Sequence, residues 1–198
     1  MWVCIRKKNT ITFKKKIMHG VVNQSIEGLI IERFGKDKWE EILIAANCQN
    51  STFYNNQNYP DSTTYDLAIN ASKILNIELN DILFEFGKYW VLTIAKQKYE
   101  VLLRSTGDDL FEFLIQLPNF HSRVMLYYPN IVPPEFKVNQ LNANTIHLHY
   151  YSKRPSLFPF VSGILEGLKI FFATHCTVKM IESGEEKGYH KNVFELVF

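Results

Sequence analysis

The segment 150–154 carries polar side chains whose types and spacing suit the binding of an anion. It follows 145–149, where apolar and polar residues alternate, and this alternation predicts a strand with one buried face. Because alternate strand residues point the same way, Tyr150, Ser152 and Arg154 share a face that apolar residues continue inward. Two hydroxyls and a guanidinium beside an apolar interior suit a ligand with carboxylates and an apolar body. A half-buried strand end with a solvated arginine would have the same sequence, so the segment needs support from elsewhere in the chain.

One histidine, His121, lies where it could bind a metal. It follows Pro118 by three residues in an apolar stretch that predicts a helix, between Phe120 and Val124. A single helix-borne histidine is how a protein supplies one axial ligand to haem iron, and its second ring nitrogen then needs a hydrogen-bond partner. A histidine on an apolar helix face can equally be a core residue with satisfied nitrogens, and the residues alone leave both interpretations open.

Motifs for catalysis or for a metal cluster are absent from the sequence. There is no nucleophile elbow, phosphate-binding loop, dinucleotide-binding glycine motif, zinc-protease motif or pair of acids in a catalytic context. The three cysteines are far apart and odd in number, which disfavours both a structural zinc site and a disulfide framework. The sequence therefore favours ligand binding in a reducing, cytoplasmic setting.

Length and composition indicate one globular domain with a large aromatic interior. Of 198 residues, 46% are apolar and 14% aromatic, and no stretch approaches the roughly 18–20 apolar residues of a membrane span. Six basic residues and no acidic ones fall in 1–17; without them 16 basic residues face 20 acidic ones, so 18–198 carries a charge of −4. A slightly acidic body argues against nucleic-acid binding. We expect 1–17 to be a basic extension, disordered or not native, and the domain to span 18–198.

The first part of the domain is predicted to be helical. Apolar residues recur at spacings of three and four from Met18 onward, and Gly35 is placed to end the first helix. One of the polar residues at 61–63 can cap a later helix, and Gly87 marks a close approach or a break. Pro118 should restart or kink the helix around it.

The last part of the domain is predicted to be an antiparallel sheet. Past Pro134 the period changes to two, which predicts about four strands, with a helix inserted at 160–174 and a final hairpin turning at Ser183-Gly184. Gly163 and Gly167 in the inserted helix are spaced to let another element approach closely. The predicted fold class is therefore α+β, with an N-terminal helical subdomain followed by this sheet.

A helix-borne histidine, a proline pair at 133–134 and a strand ending in Tyr-x-Ser-x-Arg, in that order, resemble the haem–nitric oxide/oxygen-binding (H-NOX) domain. This sensor domain is shared by soluble guanylate cyclases and small stand-alone bacterial proteins. The resemblance covers essentially all of 18–198. Four further segments also match: Met18-His19-Gly20-Val21-Val22-Asn23, Phe86-Gly87-Lys88-Tyr89-Trp90, Leu117-Pro118-Asn119-Phe120-His121 and Gly163-Ile164-Leu165-Glu166-Gly167.

The resemblance implies a haem b cofactor, iron protoporphyrin IX, held between the helical subdomain and the sheet. His121 would be the proximal iron ligand. Tyr150, Ser152 and Arg154 would bind the haem propionates, which agrees with the anion-binding face inferred from their spacing. Pro134 resembles the proline that presses on the macrocycle and keeps it out of plane, and such distortion tunes the iron.

The distal pocket, by the same resemblance, lacks the group that holds oxygen. Members that bind oxygen stably place a tyrosine hydroxyl early in the helix after the arginine. Here Phe160 occupies that position beside Pro159, and neither side chain donates a hydrogen bond. Ile26 and Trp90 resemble the other distal neighbours, and the indole N–H of Trp90 is the one possible donor. We expect a ferrous site that binds nitric oxide and carbon monoxide and largely excludes oxygen.

The resemblance also implies a signalling role without catalytic activity. Nitric oxide would break the bond between His121 and iron, the haem would relax, and the histidine-bearing helix would shift relative to the sheet. The signal would pass to a separate protein, a histidine kinase or a cyclic-di-GMP enzyme. The alternative is an adaptor of the same fold that binds another apolar carboxylate without haem. An enzyme such as a haem peroxidase ranks last, because the distal side lacks a histidine or arginine to cleave an O–O bond.

Overall fold

The computed structural model describes residues 17–48, 52–54, 57–127 and 134–198. A π-helical segment, Trp90–Ala95, joins the fourth helix to the fifth. The helices are α1 (Gly20–Phe34), α2 (Lys36–Ala45), α3 (Asp61–Leu75), α4 (Leu79–Tyr89), α5 (Lys96–Arg104), α6 (Leu110–Tyr127) and α7 (Phe158–Phe171). The strands are β1 (Ile17–His19), β2 (Asn58–Pro60), β3 (Glu135–Asn142), β4 (Thr145–Ser152), β5 (Thr177–Glu186) and β6 (Tyr189–Val197). The α+β class predicted from the sequence is confirmed.

The main sheet is antiparallel, with the strand order β3-β4-β6-β5, and α7 lies in the connection from β4 to β5. Burial along β4 alternates with a period of two. Ile146 and Leu148 are fully buried on the inner face, paired with Leu196 and Phe194 of β6. Tyr150 continues that face, as the alternation in the sequence predicted.

Strands β1 and β2 form a second, small pairing that the sequence did not predict. They are antiparallel, with Met18 opposite Tyr59 and Ile17 opposite Pro60. Each strand has three residues, too few for a period of two to be recognised. Ile17, the last residue of the predicted extension, takes part in this pairing, and 1–16 lie outside the described residues.

The predicted boundaries of the first helices are partly right. Helix α1 ends at Phe34, and the Gly35 that follows has a φ of 88°, a conformation that glycine adopts without strain. The predicted side-chain cap at 61–63 is wrong, because α3 begins at Asp61 and the residue before it is Pro60, which has no capping side chain. The Asp61 carboxylate has another partner, described below.

Helix α6 is a single helix of 18 residues that contains Pro118, so the predicted restart at this proline is wrong. Its first turn is closed by a reciprocal cap, in which the backbone N–H of Glu112 donates to Oδ1 of Asp109 at 2.8 Å. The backbone N–H of Asp108 donates to Oε2 of Glu112 at 3.1 Å. The helix therefore continues past Pro118 and carries His121 in its second half.

The final hairpin turns four residues later than predicted. Lys187 and Gly188 have φ angles of 51° and 78°, and two successive positive values characterise the tight turn that suits twisted antiparallel strands. Ser183 and Gly184 lie within β5 instead, paired with β6. A Ser-Gly pair is a common turn signal, but here the strand pairing continues through it.

Helices α4 and α7 touch through their backbones. A Cβ atom added to Gly87 would overlap the backbone oxygen of Phe160, and one added to Gly163 would overlap the backbone oxygen of Phe84. The close approach predicted at these glycines is confirmed. Any larger residue at either position would force the two helices apart.

Buried apolar side chains form two clusters. The first belongs to the helical subdomain and includes Ile26, Leu67 and Phe86. The second joins α6 and α7 to the inner face of the sheet. Phe160 packs against the first cluster and Trp90 against the second, so the predicted distal residues lie where the two cores meet.

Candidate functional site

His121 is partly buried in α6, and one of its ring nitrogens is held by the helix itself. Its Nδ1 lies 3.2 Å from the carbonyl oxygen of Leu117, one turn earlier. A carbonyl only accepts, so the N–H of the ring is at Nδ1 and the lone pair is at Nε2. A histidine fixed in this tautomer by a backbone carbonyl presents Nε2 as a metal ligand.

Burial lowers the pKa of His121 below its usual value, and the hydrogen bond to Leu117 opposes this shift. A lowered pKa keeps the imidazole neutral at neutral pH, because the charged form loses hydration inside the protein. Metal binding requires the neutral form. The protonation state of His121 therefore suits an iron ligand.

A row of aromatic rings joins α6 to the sheet. The His121 ring stacks on Phe136 of β3 with centroids 5.1 Å apart and planes 22° apart. Phe136 in turn lies 5.4 Å from the ring of Tyr150 on β4. The structure therefore places His121, the predicted metal ligand, and Tyr150, a predicted propionate ligand, at the two ends of a row of three aromatic rings.

Pro134 lies immediately before β3 and two residues before Phe136. It is half-buried, and the preceding Pro133 is outside the described residues. The contact of Phe136 with His121 places this start of β3 beside α6. The position is compatible with the predicted contact between Pro134 and the cofactor.

Tyr150 and Ser152 are each 3% exposed and lie on the inner face of β4, as predicted. The hydroxyl of Ser152 accepts a hydrogen bond from the backbone N–H of Arg154 at 3.0 Å. Burial raises the pKa of Tyr150, while a hydrogen bond with Ser152 and the charge of Arg154 oppose the shift. The phenol therefore stays protonated and can donate a hydrogen bond to a carboxylate.

Arg154, the third predicted anion ligand, is held by a carboxylate of the protein. Its Nε donates to Oδ2 of Asp61 at 2.8 Å, and the side chains are 16% and 9% exposed. The pair links the loop after β4 to the first turn of α3. Asp61 therefore positions Arg154 near Ser152, although the sequence pattern had predicted a helix cap at 61–63.

Tyr65, one turn after Asp61 on α3, is a second residue that sequence reasoning missed. Its hydroxyl donates to the carbonyl oxygen of Pro155 at 2.9 Å. The pKa of Tyr65 is raised to about 12, mainly by burial and also by the neighbouring Asp61 and Tyr150, while Arg154 acts in the opposite direction. Asp61 and Tyr65 are spaced i, i+4, which places both side chains on the same face of α3. This spacing was the signal in the sequence that could have identified Tyr65.

The predicted distal residues are placed by the crossing of α4 and α7. Trp90 follows Gly87 by three residues, and Phe160 precedes Gly163 by three, so both lie one turn from the glycine contact. Ile26 of α1 is 1% exposed, whereas Trp90 and Phe160 are half-buried. The Nε1 atom of Trp90 is buried and has no hydrogen-bond partner in the described part of the chain.

His147 and His149 lie on the opposite face of β4 from Tyr150 and are half-buried. Nε2 of His147 lies 3.2 Å from Oε2 of Glu195 on β6. Nε2 of His149 lies 3.1 Å from the side-chain nitrogen of Asn139 on β3. These two histidines belong to the outer surface of the sheet and not to the site around His121.

An open groove of about 640 Å³ lies between the end of α7 and the start of β5. It contains none of the predicted site residues. Its lining is Glu166, Lys169, Ile170, Ala173, Thr174, His175, Cys176, Thr177 and Val197. We place the candidate site around His121 and β4. There His121 has a fixed tautomer, Tyr150 and Ser152 lie on a buried face, and an ion pair holds Arg154.

The residues present fit a haem. A single neutral histidine offers Nε2 for an axial bond, and no group of three or more His, Cys, Asp or Glu in the described ranges could hold a metal ion without a cofactor. Tyr150 and Arg154 offer donors at the polar end of an apolar face. The unpartnered indole N–H of Trp90 adds a buried donor near the junction of the two cores.

No helix among the described residues combines the length and apolar character needed to cross a membrane.

Comparisons with known sequences match nearly the whole domain. The sequence model of the Haem-NO-binding family, HNOB, matches residues 19–180. The soluble guanylate cyclase gcy-34 of Caenorhabditis elegans is 27% identical over 184 residues, which cover 91% of this chain and 27% of that protein. The chain therefore spans about a quarter of the length of such relatives.

Comparisons with solved structures show the same fold. A doubly substituted H-NOX protein designated Tt has a TM-score of 0.82 at 20% identity, covering 91% of this chain and 95% of that one. An oxygen-binding H-NOX domain related to soluble guanylate cyclases, solved as its oxygen complex, has a TM-score of 0.78 at 19% identity with the same coverage of both chains. The arrangement of helices and sheet described above is thus that of H-NOX structures.

Proposed function

Because the chain belongs to the Haem-NO-binding family, we propose that it binds haem b through His121 and acts as a gas sensor rather than as an enzyme. The observation that carries this proposal is the tautomer of His121, fixed by the Leu117 carbonyl with Nε2 left as the ligand atom. A core histidine would instead use both nitrogens in hydrogen bonds. The aromatic contact with Phe136 orients the ring further.

The proposed cofactor site has a polar end made by β4 and the loop after it. Tyr150, Ser152 and Arg154 would bind the propionates through two hydroxyls and a guanidinium. Asp61 holds the guanidinium at Nε, and Ser152 accepts from the Arg154 backbone, so these donors are ordered without help from a ligand. Pro134 would contact the macrocycle at the start of β3.

Bound ferrous haem would supply an iron atom that binds diatomic gases. Nitric oxide would weaken the bond between that iron and a proximal histidine. Ile26, Phe160 and the buried Pro159 present no hydrogen-bond donor to a distal ligand. Bound oxygen carries partial negative charge and needs a donor, whereas nitric oxide and carbon monoxide need much less. We therefore propose selectivity for nitric oxide and carbon monoxide over oxygen, with Trp90 as the one donor among the proposed distal residues.

The proposed output is a movement of α6 relative to the sheet. His121 ties α6 to the cofactor, and its stacking on Phe136 ties the same helix to β3. Release of His121 from the iron would leave α6 held mainly by its packing. The positions of α6 with His121 bound and released would then be two arrangements between which a gas ligand can select. The partner would be a separate histidine kinase or cyclic-di-GMP enzyme in the cytoplasm.

The test is an anaerobic visible absorption spectrum of the purified protein after reduction with dithionite, repeated with nitric oxide and then with air. A broad Soret band of five-coordinate ferrous haem that shifts with nitric oxide and forms no stable oxygen complex is expected. A stable oxygen complex would overturn the proposed selectivity. Failure to bind haem even after reconstitution would favour an adaptor that binds another apolar carboxylate.

A further inference from the structure

Two buried polar atoms where α1 meets α3 lack a hydrogen-bond partner among the described residues. They are Nδ2 of Asn23 and Oδ1 of Asp61, on side chains of residues that are 0% and 7% exposed. The other polar atom of each side chain is engaged, because Thr64 donates to Oδ1 of Asn23 at 2.6 Å and Arg154 donates to Oδ2 of Asp61 at 2.8 Å. One unpartnered atom is thus a donor and the other an acceptor.

Thr64 places these two side chains in the same junction. Asp61 and Thr64 are three positions apart on α3, so their side chains are neighbours on one helix face. Asn23 of α1 contacts that face through the Thr64 hydroxyl. Nδ2 and Oδ1 do not bond directly, and a buried donor and acceptor in one polar junction are the partners that a single water molecule requires.

We propose that a buried water joins Asn23 to Asp61, accepting a hydrogen bond from Nδ2 and donating one to Oδ1, and that Asn23 is thereby a positioning residue for Arg154. The water fixes the rotation of the Asp61 carboxylate, whose Oδ2 then points at Nε of Arg154. The guanidinium is held in one orientation near Ser152. The consequence for haem rests on the function proposed above, since an oriented Arg154 binds a propionate more firmly.

The first test measures the buried network without any cofactor. In nuclear magnetic resonance of the full chain, hydrogen exchange of the Arg154 Nε proton is expected to be about ten-fold faster in Asn23→Leu, the effect of losing one hydrogen bond to a charged group. Ser25→Ala is the matched control, because Ser25 is equally buried on α1 and its hydroxyl bonds Val21 within the helix. Unchanged exchange in Asn23→Leu, or an equal increase in Ser25→Ala, would overturn the proposal.

A second variant covers the case in which Asn23→Leu fails to fold. Thr64→Val keeps the shape of the side chain but removes the hydroxyl that holds Oδ1 of Asn23. It should accelerate the same exchange by a smaller factor, and no acceleration would count against the network. A crystal structure at high resolution should show density for one water within hydrogen-bond distance of both Nδ2 and Oδ1, and a dry junction would refute the bridge.

The last test asks whether Asn23 acts on haem through Asp61. Rates of haem loss are compared for the wild type, Asn23→Leu, Asp61→Asn and the double variant. Both single changes should speed haem loss, and Asn23→Leu should add less than about two-fold once Asp61 is replaced, because the pair acts in series. Additive effects would overturn the positioning role. A protein that binds no haem would refute the proposed function, while the exchange measurement would still decide the bridge.

Discussion

Asp61 and Arg154, 93 positions apart in the sequence, form an ion pair with a Nε to Oδ2 distance of 2.8 Å. Both side chains are largely buried, at 9% and 16% exposure. The pair joins the helical subdomain to the loop after β4, beside the residues proposed to bind the propionates. It therefore couples the stability of the fold to the geometry of the site.

Replacing Asp61 with Asn should destabilise the haem-free protein by about 2–4 kcal/mol, because it removes the carboxylate charge that faces the largely buried guanidinium of Arg154. Denaturant unfolding of the wild type and the variant measures this difference. Glu85→Gln is the control, since the Arg33–Glu85 pair is 2.6 Å long but 44% and 31% exposed, and such surface pairs are worth about 1 kcal/mol or less. Equal losses in the two variants would contradict the special role of Asp61.

Replacing His121 with Gly should abolish the five-coordinate ferrous spectrum, because it removes the proposed iron ligand. Added imidazole should restore it, since a free imidazole can occupy the space that the side chain leaves. The measurement is the Soret band of the reduced protein with and without imidazole. His147→Gly, on the outer face of the sheet, should leave the spectrum unchanged. A normal spectrum in the His121 variant would remove the basis of the proposed function.

Replacing Tyr65 with Phe should cost about 1 kcal/mol, because the hydroxyl that bonds Pro155 is lost. The folded-state pKa of about 12 lies above the ordinary tyrosine value of 10.0, so the contribution of Tyr65 is present below pH 10 and lost as the pH rises towards 12. Unfolding free energies at several pH values should therefore fall more steeply above pH 10 in the wild type than in the variant. Parallel pH profiles would argue against the raised pKa.

Replacing Gly163 with Ala should destabilise the protein by about 1–3 kcal/mol, because the added Cβ would overlap the backbone of α4 at Phe84. Thermal unfolding gives the comparison with Gly184→Ala, where an added Cβ meets no atom within 4 Å. The Gly184 variant should stay within about 0.5 kcal/mol of the wild type. If the Gly163 variant is as stable as the wild type, the helices are not in backbone contact there.

Replacing Phe160 with Tyr should let the ferrous protein form an oxygen complex, because it adds a hydroxyl donor at the proposed distal position. Absorption spectra in air, recorded over time after reduction, measure the lifetime of that complex. Phe158→Tyr, two residues earlier in α7, is the control and should behave as the wild type does. A stable oxygen complex in the wild type itself would overturn the proposed selectivity.

The sequence predicted what depends on local pattern. The period of two along 145–152 was sufficient to place Tyr150 and Ser152 on a buried face, because each residue of a strand determines the face of the next. The glycines at 87 and 163 predicted close contact because only a missing side chain permits it. These inferences required no knowledge of distant residues.

The sequence could not predict what depends on pairing between distant segments. Asp61 looked like a helix cap, because its partner Arg154 lies in a different subdomain. Ser183-Gly184 looked like a turn, but the pairing of β5 with β6 extends to Glu186 and Tyr189, and the chain turns at Lys187 and Gly188. In each case a local signal was overridden by a contact that only the assembled fold provides.

The glycine contacts between α4 and α7 have a mechanical consequence. With no side chain between the two backbones at Gly87 and Gly163, the helices cannot slide or roll past each other without losing contact at both points. We therefore expect the two helices to move together and to keep Trp90 and Phe160 at a constant separation. A change in the volume open to a gas would then come from movement of α6 and the sheet relative to this helix pair. Larger residues at the glycines would loosen the packing of α4 against α7.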